Sequence, residues 1–346
     1  MYLMWAMNFM NREEATFMNK IFEYKSVLSK YMYDFLSLKT VAGFVTERTK
    51  WIFLEIDKFY IDNSIDIPEI KSEYLQLWRK GRDNDAPRTL YRKYSVWHQL
   101  AKFMSQKGIQ CYVTPIPRYK DTCEFEPYIF SHEQIVELLK NASVMRLKAS
   151  SLNSSFFCMP ALVRFLYSTG VRISEALSLK LEDLNLEKQY AIIRKAKNKK
   201  ERIVPISSSL KEVLEQYLYY RNRIPICNIL QPTSLLFIKP DGDACLRRSI
   251  NKWFRVMLRL SHISYVGDHK GPRVHDLRHT FAVHALEKMA KKGMDLYACL
   301  PILSACLGHS TLSATEHYVR LTKEIYPEIT QCCTTINEYI YPKTKQ

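Results

Sequence analysis

A histidine and an arginine stand three residues apart in the segment HDLRH, residues 275–279. On a helix this spacing places His275 and Arg278 one turn apart on the same face. The start of a helix adds partial positive charge, so the pair is suited to binding an anion. The neighbouring His279, and His284 further along, are interpreted as capping or packing residues, the commoner role of a histidine near a helix start.

A dense group of basic residues lies in RKAKNKKER, residues 194–202, where six basic residues stand against one acidic residue. Runs rich in β-branched residues flank it at 190–194 and 202–206 and predict a hairpin with this group at its turn. Like charges crowded on one turn repel each other unless an anion neutralises them. Phosphate is the natural anion for such a turn.

Three further features complete the set. Arg172 follows a turn at Gly170, and the tripeptide Leu307-Gly308-His309 is followed by Tyr318 nine residues after the histidine. One tyrosine carries little information in a chain that has 22 of them. The order of arginine, basic hairpin, H-x-x-R, L-G-H and tyrosine within about 150 residues makes the combination specific.

In this combination the sequence resembles the tyrosine recombinase or phage-integrase family, which includes Xer-type and transposon recombinases. The resemblance extends over roughly residues 27–340. It rests on a preceding helical domain that looks like the family's core DNA-binding module, and on four segments of the printed sequence: TGVRISEALSL, KNKKERIVPI, HDLRHTFA and LGHSTLSATEHY.

The resemblance implies a role for each of these residues. Arg172 and Arg278 would bind the non-bridging oxygens of the scissile phosphate, which a guanidinium fork can contact two at a time. Tyr318 would be the nucleophile, and His275 is the candidate base, since a phenol with a pKa near ~10 is rarely ionised at neutral pH. His309 would donate a hydrogen bond to a phosphate oxygen.

A hairpin lysine would act as general acid on the departing 5′ oxygen. Aligned on the KERIVP end, the family's lysine falls at Lys197, but the glycines that usually flank it are replaced by alanine and asparagine. Lys195, Lys199 and Lys200 are close enough to compete for the role and are otherwise expected to contact DNA. Glu175 is either a partner that fixes an active-site arginine or lysine, or simply an acidic residue at a helix start.

The implied reaction attaches the DNA 3′ phosphate to Tyr318 and frees a 5′ hydroxyl. Because the bond energy is kept in the phosphotyrosine, neither ATP, a metal nor another cofactor is required. The implied partners are duplex DNA at specific sites and further copies of the chain, as a tetramer on two sites. The apolar stripe Ile325, Ile329, Cys332, Cys333, Ile336 and Ile340 would form the exchanged C-terminal helix, or else dock on its own subunit.

The elements that must position these residues predict a mainly α-helical fold with a small antiparallel β-sheet. Residues 1–24 are expected to form an N-terminal extension, 25–108 an all-helical domain, 109–130 a proline-containing linker, and 131–346 a second, α+β domain. The resemblance implies that the first of these domains is the core DNA-binding domain and the second the catalytic domain. A capping box, Ser131 with Gln134, opens the second domain. A third strand is predicted near residues 235–238.

The last helix of the first domain has the clearest pattern. Asp85 is predicted to cap it, Pro87 suits its first turn, and Gly108 ends it. The basic residues at its start and flank are expected to contact DNA: Arg82, Arg88, Arg92 and Lys93.

Composition agrees with a polyanionic partner. The chain has 51 Lys and Arg against 35 Asp and Glu, a net charge of +16. Nine scattered cysteines without a CxxC pair predict reduced thiols, and neither a signal peptide nor an apolar run of membrane-spanning length is found, so a cytoplasmic, nucleoid-associated protein is expected.

The favoured function is integration or excision of a mobile element by a site-specific recombinase. Three alternatives are a type IB topoisomerase, a catalytically silent DNA-binding relative, and a basic membrane-surface protein, which the lack of a lysine-rich amphipathic helix disfavours.

Overall fold

The computed structural model of the protein describes residues 22–118, 126–144, 154–194, 201–265 and 271–327. The chain divides into two compact units, Met1–Glu124 and Phe125–Gln346. The division falls inside the stretch 109–130 that the sequence predicts as a linker. The beginning of that stretch belongs to the first unit, because Cys111 forms a parallel bridge with Ile70. The predicted fold class, mainly helical with a small antiparallel sheet, is confirmed.

The described part of the first unit is built from helices. They are α1 (Ser29–Val41), α2 (Glu47–Asp62), α3 (Ser72–Lys80) and α4 (Pro87–Gln106). On α4 the apolar residues Trp97, Ala101 and Met104 are buried, and the Trp97 ring contacts Trp78 edge-on at 5.8 Å between centroids. The predicted cap at Asp85 is wrong. Ala86 occupies the cap position, and the Asp85 carboxylate pairs with Lys93 at 2.8 Å instead.

The second unit contains two short 3₁₀ helices, Ser155–Cys158 and Leu181–Asp183, and the remaining described α-helices. These α-helices are α5 (His132–Val144), α6 (Met159–Thr169), α7 (Ile173–Leu177), α8 (Ser208–Arg221), α9 (Arg247–Leu260), α10 (Asp276–Lys291), α11 (Leu296–Leu307) and α12 (Ser313–Ile325). The capping box that opens α5 is confirmed. The Ser131 N–H donates to Oε1 of Gln134 at 3.0 Å, and the Gln134 N–H donates to Oγ of Ser131 at 3.2 Å.

A three-stranded antiparallel sheet lies between α7 and α8. Its strands, in spatial order, are β1 (Leu184–Asn185), β2 (Tyr190–Ile193) and β3 (Arg202–Pro205). The predicted hairpin of β2 and β3 is confirmed, with Ile193 opposite Arg202. The predicted third strand is wrong: Leu235 makes only an isolated bridge with Lys180, and the short segment β1 pairs with β2 instead. Residues 195–200, the hairpin turn, lie outside the described residues.

Helix α10 lies at the centre of the second unit. Leu277, in its first turn, belongs to an apolar cluster with α6, whereas Val283 and Leu286 belong to a second cluster with α11 and α12. An element that contacts apolar neighbours on several sides is held firmly, because each displacement disturbs close packing. Polar side chains on its first turns are therefore fixed in position.

Several sequence predictions fall at the edge of what the structure describes. The apolar stripe predicted to form the exchanged C-terminal helix begins at Ile325, the last residue of α12, and its other members lie outside the described residues. The described cysteines are free thiols, as expected: Cys111, Cys158, Cys227, Cys245, Cys299 and Cys306. Among the described residues, no helix combines the length and apolarity needed to cross a membrane.

Candidate active site

Arg278 lies in the protein interior with only 2% of the residue exposed. Its Nη1 donates to the Gly170 carbonyl at 2.8 Å, and its Nη2 donates to the Leu307 carbonyl at 2.8 Å and to Nε2 of His309 at 2.9 Å. These bonds use three of the five N–H groups of a guanidinium, which leaves at most two for an anion. Burial, and then the charge of Arg172, lowers the pKa of Arg278 to about 10, so it remains charged at neutral pH.

Two glycines bring the backbone close to arginine side chains: Gly170 to Arg278, and Gly308 to Arg202 of β3. Gly170 and Gly308 end α6 and α11 with φ values of +64° and +67°. A Cβ atom at Gly170 would lie 2.3 Å from Cδ1 of Phe281, and one at Gly308 would lie 2.9 Å from Nη1 of Arg202. The positive φ favours glycine at both positions, and at Gly170 the close approach of the Phe281 ring also leaves no room for a side chain.

Glu175 holds two arginines together. The N–H of Arg172 donates to Oε2 of Glu175 and Nη1 of Arg172 donates to Oε1, both at 2.9 Å. From β3, Nη2 of Arg202 donates to Oε2 at 2.7 Å. Burial acts to raise the pKa of Glu175, but the bonds and charges of Arg202 and Arg172 hold it below its usual value. Glu175 therefore acts both as a helix-start residue and as the partner that fixes Arg172.

Arg202 is a site residue that the sequence reasoning missed. Its side chain is 9% exposed, and its Nε donates to the carbonyl oxygen of Cys306 at 2.9 Å, which ties β3 to the end of α11. Its spacing did not distinguish it from the other basic residues of the segment 194–202.

His309 already has a partner on each ring nitrogen. Because a guanidinium only donates, Nε2 of His309 accepts from Arg278, and Nδ1 then carries the proton and donates to Oγ1 of Thr315 at 2.7 Å. Burial, followed by the charges of Arg278 and Arg172, lowers the pKa of His309 to about 4. To donate to a phosphate, as the sequence predicts, the ring must exchange one of these bonds.

Tyr318 projects from α12 into the same region and is 1% exposed. Burial raises the pKa of its phenol to about 12, although the charges of Arg278 and Arg172 act to lower it. The His317 ring lies against it, 3.9 Å away between centroids. A buried phenol with this pKa is almost entirely protonated at neutral pH.

The histidine within hydrogen-bond distance of the Tyr318 hydroxyl is His279, not the predicted base His275. Nδ1 of His279 lies 2.8 Å from Oη of Tyr318. Among the described residues no hydrogen bond joins His275 to Tyr318, and the His275 ring lies edge-on to His279 at 4.9 Å. The sequence interpretation of His279 as a packing residue missed this contact.

Both histidines are held neutral. Burial, followed by the charge of His275, lowers the pKa of His279 to about 3. Burial, followed by Arg278 and Arg172, lowers that of His275 to about 4. Each ring therefore keeps one unprotonated nitrogen at neutral pH.

The predicted basic residues have diverse surroundings. Lys195, Lys197, Lys199 and Lys200 lie outside the described residues. In the first unit, Arg82 and Lys93 both bind the carboxylate of Glu55, with side chains 18% and 15% exposed. Their charges are neutralised inside that unit.

Arg88 and Arg92 of the same helix, α4, are exposed. An additional basic surface lies on α9, where four exposed residues recur at helical spacing: Arg248, Lys252, Arg255 and Arg259. This stripe was not predicted from the sequence.

Within the described residues, no three metal-ligating groups converge around Arg278 and Tyr318; such a group is found instead between α5 and α10. The arrangement around Arg278 combines buried cationic donors, a phenol and a neutral histidine. These groups can bind an oxyanion and remove a proton from the phenol that attacks it.

The chain is similar to known recombinases and integrases. The model of the phage integrase family matches residues 129–324. The tyrosine recombinase XerC of Bacillus licheniformis is 25% identical over 314 residues, covering 89% of this chain and 93% of the relative. That of Thermodesulfovibrio yellowstonii is 37% identical over 169 residues, 46% of this chain and 49% of the relative. The Tn1549 transposon integrase, solved in complex with transposon right end DNA, shares the fold with a TM-score of 0.59 at 16% identity, over 83% of this chain and 94% of that one.

Proposed function

The chain belongs to the phage integrase family and is a tyrosine recombinase, an enzyme that cleaves and rejoins DNA by transesterification; we propose that Tyr318 is its nucleophile and that it integrates and excises a mobile element. The observation that carries the assignment of the nucleophile is the contact between Oη of Tyr318 and Nδ1 of His279, next to the buried guanidinium of Arg278. A nucleophile, a proton acceptor and an anion-binding group thus meet at one point.

The arginines would bind the scissile phosphate. The charges of Arg172 and Arg278 repel each other, which contributes to the lowered pKa of Arg278. A phosphodiester between them relieves this repulsion, and the relief grows as negative charge builds up in the transition state. His275, whose ring lies close enough to these arginines for their charges to lower its pKa, is a further candidate to contact the phosphate.

His279 would accept the phenolic proton as Tyr318 attacks. With a pKa of about 12, roughly one Tyr318 in 10⁵ is ionised at pH 7, so attack by preformed phenolate is slow. In the tautomer of neutral His279 that carries its proton on Nε2, the Nδ1 lone pair faces the phenolic oxygen, which lies 2.8 Å away. Proton transfer can then accompany formation of the oxygen–phosphorus bond.

In the proposed reaction the phenolic oxygen bonds to phosphorus as the bond to the 5′ oxygen breaks. A lysine of the segment 195–200, with Lys197 the first candidate, gives its proton to the departing oxygen. The 5′ hydroxyl of another strand then attacks the phosphotyrosine, and the proton transfers run in reverse. One phosphodiester replaces another, so no external energy source enters the balance.

Tyr318 must become accessible before it can attack DNA. Its side chain is 1% exposed in this structure, and it lies on α12, which packs against α10 and α11. We infer that DNA binding shifts α12 enough to bring Oη to the phosphate. Burial in the DNA-free enzyme would protect against cleavage away from a bound site.

The exposed basic residues would contact the DNA backbone. The stripe Arg248, Lys252, Arg255 and Arg259 on α9 supports this role in the second unit, as do Arg88 and Arg92 in the first. Each phosphate neutralised adds to affinity and to its salt dependence. Assembly of a tetramer on two DNA sites remains part of the proposal.

Covalent trapping tests the nucleophile. Nicked suicide substrates, with DNA from the ends of the mobile element that neighbours the gene, are incubated with wild type, Tyr318→Phe and Tyr297→Phe. Tyr297 on α11 is 55% exposed, and its substitution serves as the matched control. Wild type and Tyr297→Phe should give a denaturant-resistant protein–DNA band, and Tyr318→Phe should bind DNA without forming it.

A band with Tyr318→Phe would refute the assignment of the nucleophile. Strand exchange between two sites, followed by sequencing of the junctions, then separates recombination of a mobile element from relaxation of supercoils alone.

A further inference from the structure

A second group of chemically capable side chains lies away from Arg278 and Tyr318. His284 and Glu287 are one turn apart on α10, and His132 is the first residue of α5. One potential ligand atom from each lies within 4.8 Å of the other two. The mechanism proposed above uses none of these residues.

Within the part of the chain that the structure describes, one ring nitrogen of His284 is buried without a hydrogen-bond partner. The residue is 6% exposed, and its Nδ1 lies 2.9 Å from the hydroxyl of Tyr167. Among the described residues, Nε2 makes no hydrogen bond. If Nδ1 donates to Tyr167, Nε2 carries a lone pair, and a fixed tautomer of this kind is typical of metal-binding histidines.

Glu287 supplies a carboxylate oxygen that is already positioned. The residue is 3% exposed, and its Oε1 is held by Nζ of Lys291 at 2.5 Å. Its other oxygen, Oε2, lies 2.7 Å from Nε2 of His132. That bond occupies the place where a metal would lie between the two atoms.

His132 has the freedom to make room for an ion. Zinc–ligand distances of about 2.0–2.2 Å in a tetrahedral site place the ligand atoms roughly 3.3 Å from each other. Nε2 of His132 lies 2.7 Å from Oε2 of Glu287, so it must move away by less than an ångström. The His132 ring must also tilt. The ring stacks on His284 at 4.0 Å between centroids, and its side chain is 51% exposed. A half-exposed side chain has the freedom to make this change.

We propose that His132, His284 and Glu287 form a binding site for a divalent transition metal, with zinc the best match. Two imidazole nitrogens and one carboxylate oxygen form a common zinc ligand set, with water in the fourth position. The metal would replace the hydrogen bond between His132 and Glu287 and supply the missing partner of His284. It would tie the start of α5 to α10, the helix that carries Arg278, and so act as a structural link.

Metal titration of the full-length protein tests the site. The chelator-treated protein is titrated with Zn²⁺ against a chromophoric competitor, and with Co²⁺, whose visible absorption reports tetrahedral coordination. Wild type should bind one Zn²⁺ per chain, and its Tm should rise on binding. His132→Ala should weaken binding at least tenfold and remove the rise in Tm. The matched control His262→Asn, at an exposed histidine outside the group, should behave as wild type.

The result is independent of the recombinase reaction. Tyr318→Phe should bind Zn²⁺ as tightly as wild type, whatever its effect on DNA cleavage. Circular dichroism of metal-free His132→Ala checks that it folds. Absence of stoichiometric binding in wild type, or equal affinity in folded His132→Ala, would overturn the proposal and leave a plain hydrogen bond between α5 and α10.

Discussion

Replacing His279 by alanine tests how the phenol of Tyr318 loses its proton. In wild type, Nδ1 of His279 is 2.8 Å from Oη of Tyr318. The pKa of His279 is lowered to about 3, so its ring is neutral from pH 5 to pH 9. The cleavage rate should therefore show no dependence on His279 titration in that range. Loss of a positioned base costs about 10²–10⁴ in rate, and we expect a decrease of this size for His279→Ala at pH 7.

The pH dependence of the variant is the sharper test. Without an acceptor, attack requires phenolate, and with a Tyr318 pKa of about 12 the phenolate fraction rises tenfold for each pH unit below that value. The cleavage rate of His279→Ala should thus rise nearly tenfold per unit between pH 6 and pH 9. Single-turnover cleavage of a nicked suicide substrate, quenched at timed intervals, measures both profiles.

Two further variants serve as controls. His317→Phe replaces a ring that contacts Tyr318 at 3.9 Å, so it keeps the packing and should retain the wild-type profile. His275→Ala removes the base predicted from the sequence. If His275→Ala gives the steep profile and His279→Ala stays flat, His279 is not the acceptor and the reasoning from the 2.8 Å contact is refuted.

Three other predictions concern stability and DNA binding. Gly170→Ala should lower the free energy of unfolding by about 2–4 kcal/mol in chemical denaturation, because its Cβ would meet Phe281 at 2.3 Å and φ is +64°; a loss below 1 kcal/mol would contradict this. Glu175→Gln should be less stable than wild type at neutral pH, because the pKa of Glu175 is lowered on folding. That difference in stability should shrink as the pH falls from the pKa of Glu175 in the unfolded chain, about 4.5, through its lower pKa in the folded protein. A difference that is unchanged at pH 3 would contradict a lowered pKa in the folded state. Lys252→Gln should reduce the slope of log affinity against log salt by about 0.9, measured by fluorescence anisotropy, if this residue neutralises one phosphate.

The sequence predicts best those elements whose pattern is local. The hairpin of β2 and β3 and the capping box at Ser131 depend on residues a few positions apart, and both are confirmed. The third strand was misplaced, because a two-residue strand such as Leu184–Asn185 has too few residues to show a period. Leu235 has the apolar composition of a strand, but its backbone pairs with Lys180 alone.

The charges of the first unit show a second limit of sequence reasoning. Lys93 and Arg82 look like DNA-binding residues in a basic segment. Their partner Glu55 lies on α2, 38 positions before Lys93 and 27 before Arg82. No local sequence pattern predicts a pairing over such separations. Whether a basic residue is available to DNA therefore depends on tertiary contacts, and in this unit Arg92, exposed on α4, is the better candidate.

The choice between His275 and His279 depends on the same kind of information. Both lie at the start of α10, and helical spacing relates His275 to Arg278 without locating the phenol. The position of Oη is set by the packing of α12 against α10, with Thr315 and Val319 of α12 buried on either side of the tyrosine. Because that packing directs the phenol toward His279, the proton acceptor is determined by a helix that begins 34 residues later in the chain. A shift of α12 on DNA would therefore change the distance to the phosphate and to His279 together, and cleavage requires the final position of Tyr318 to satisfy both.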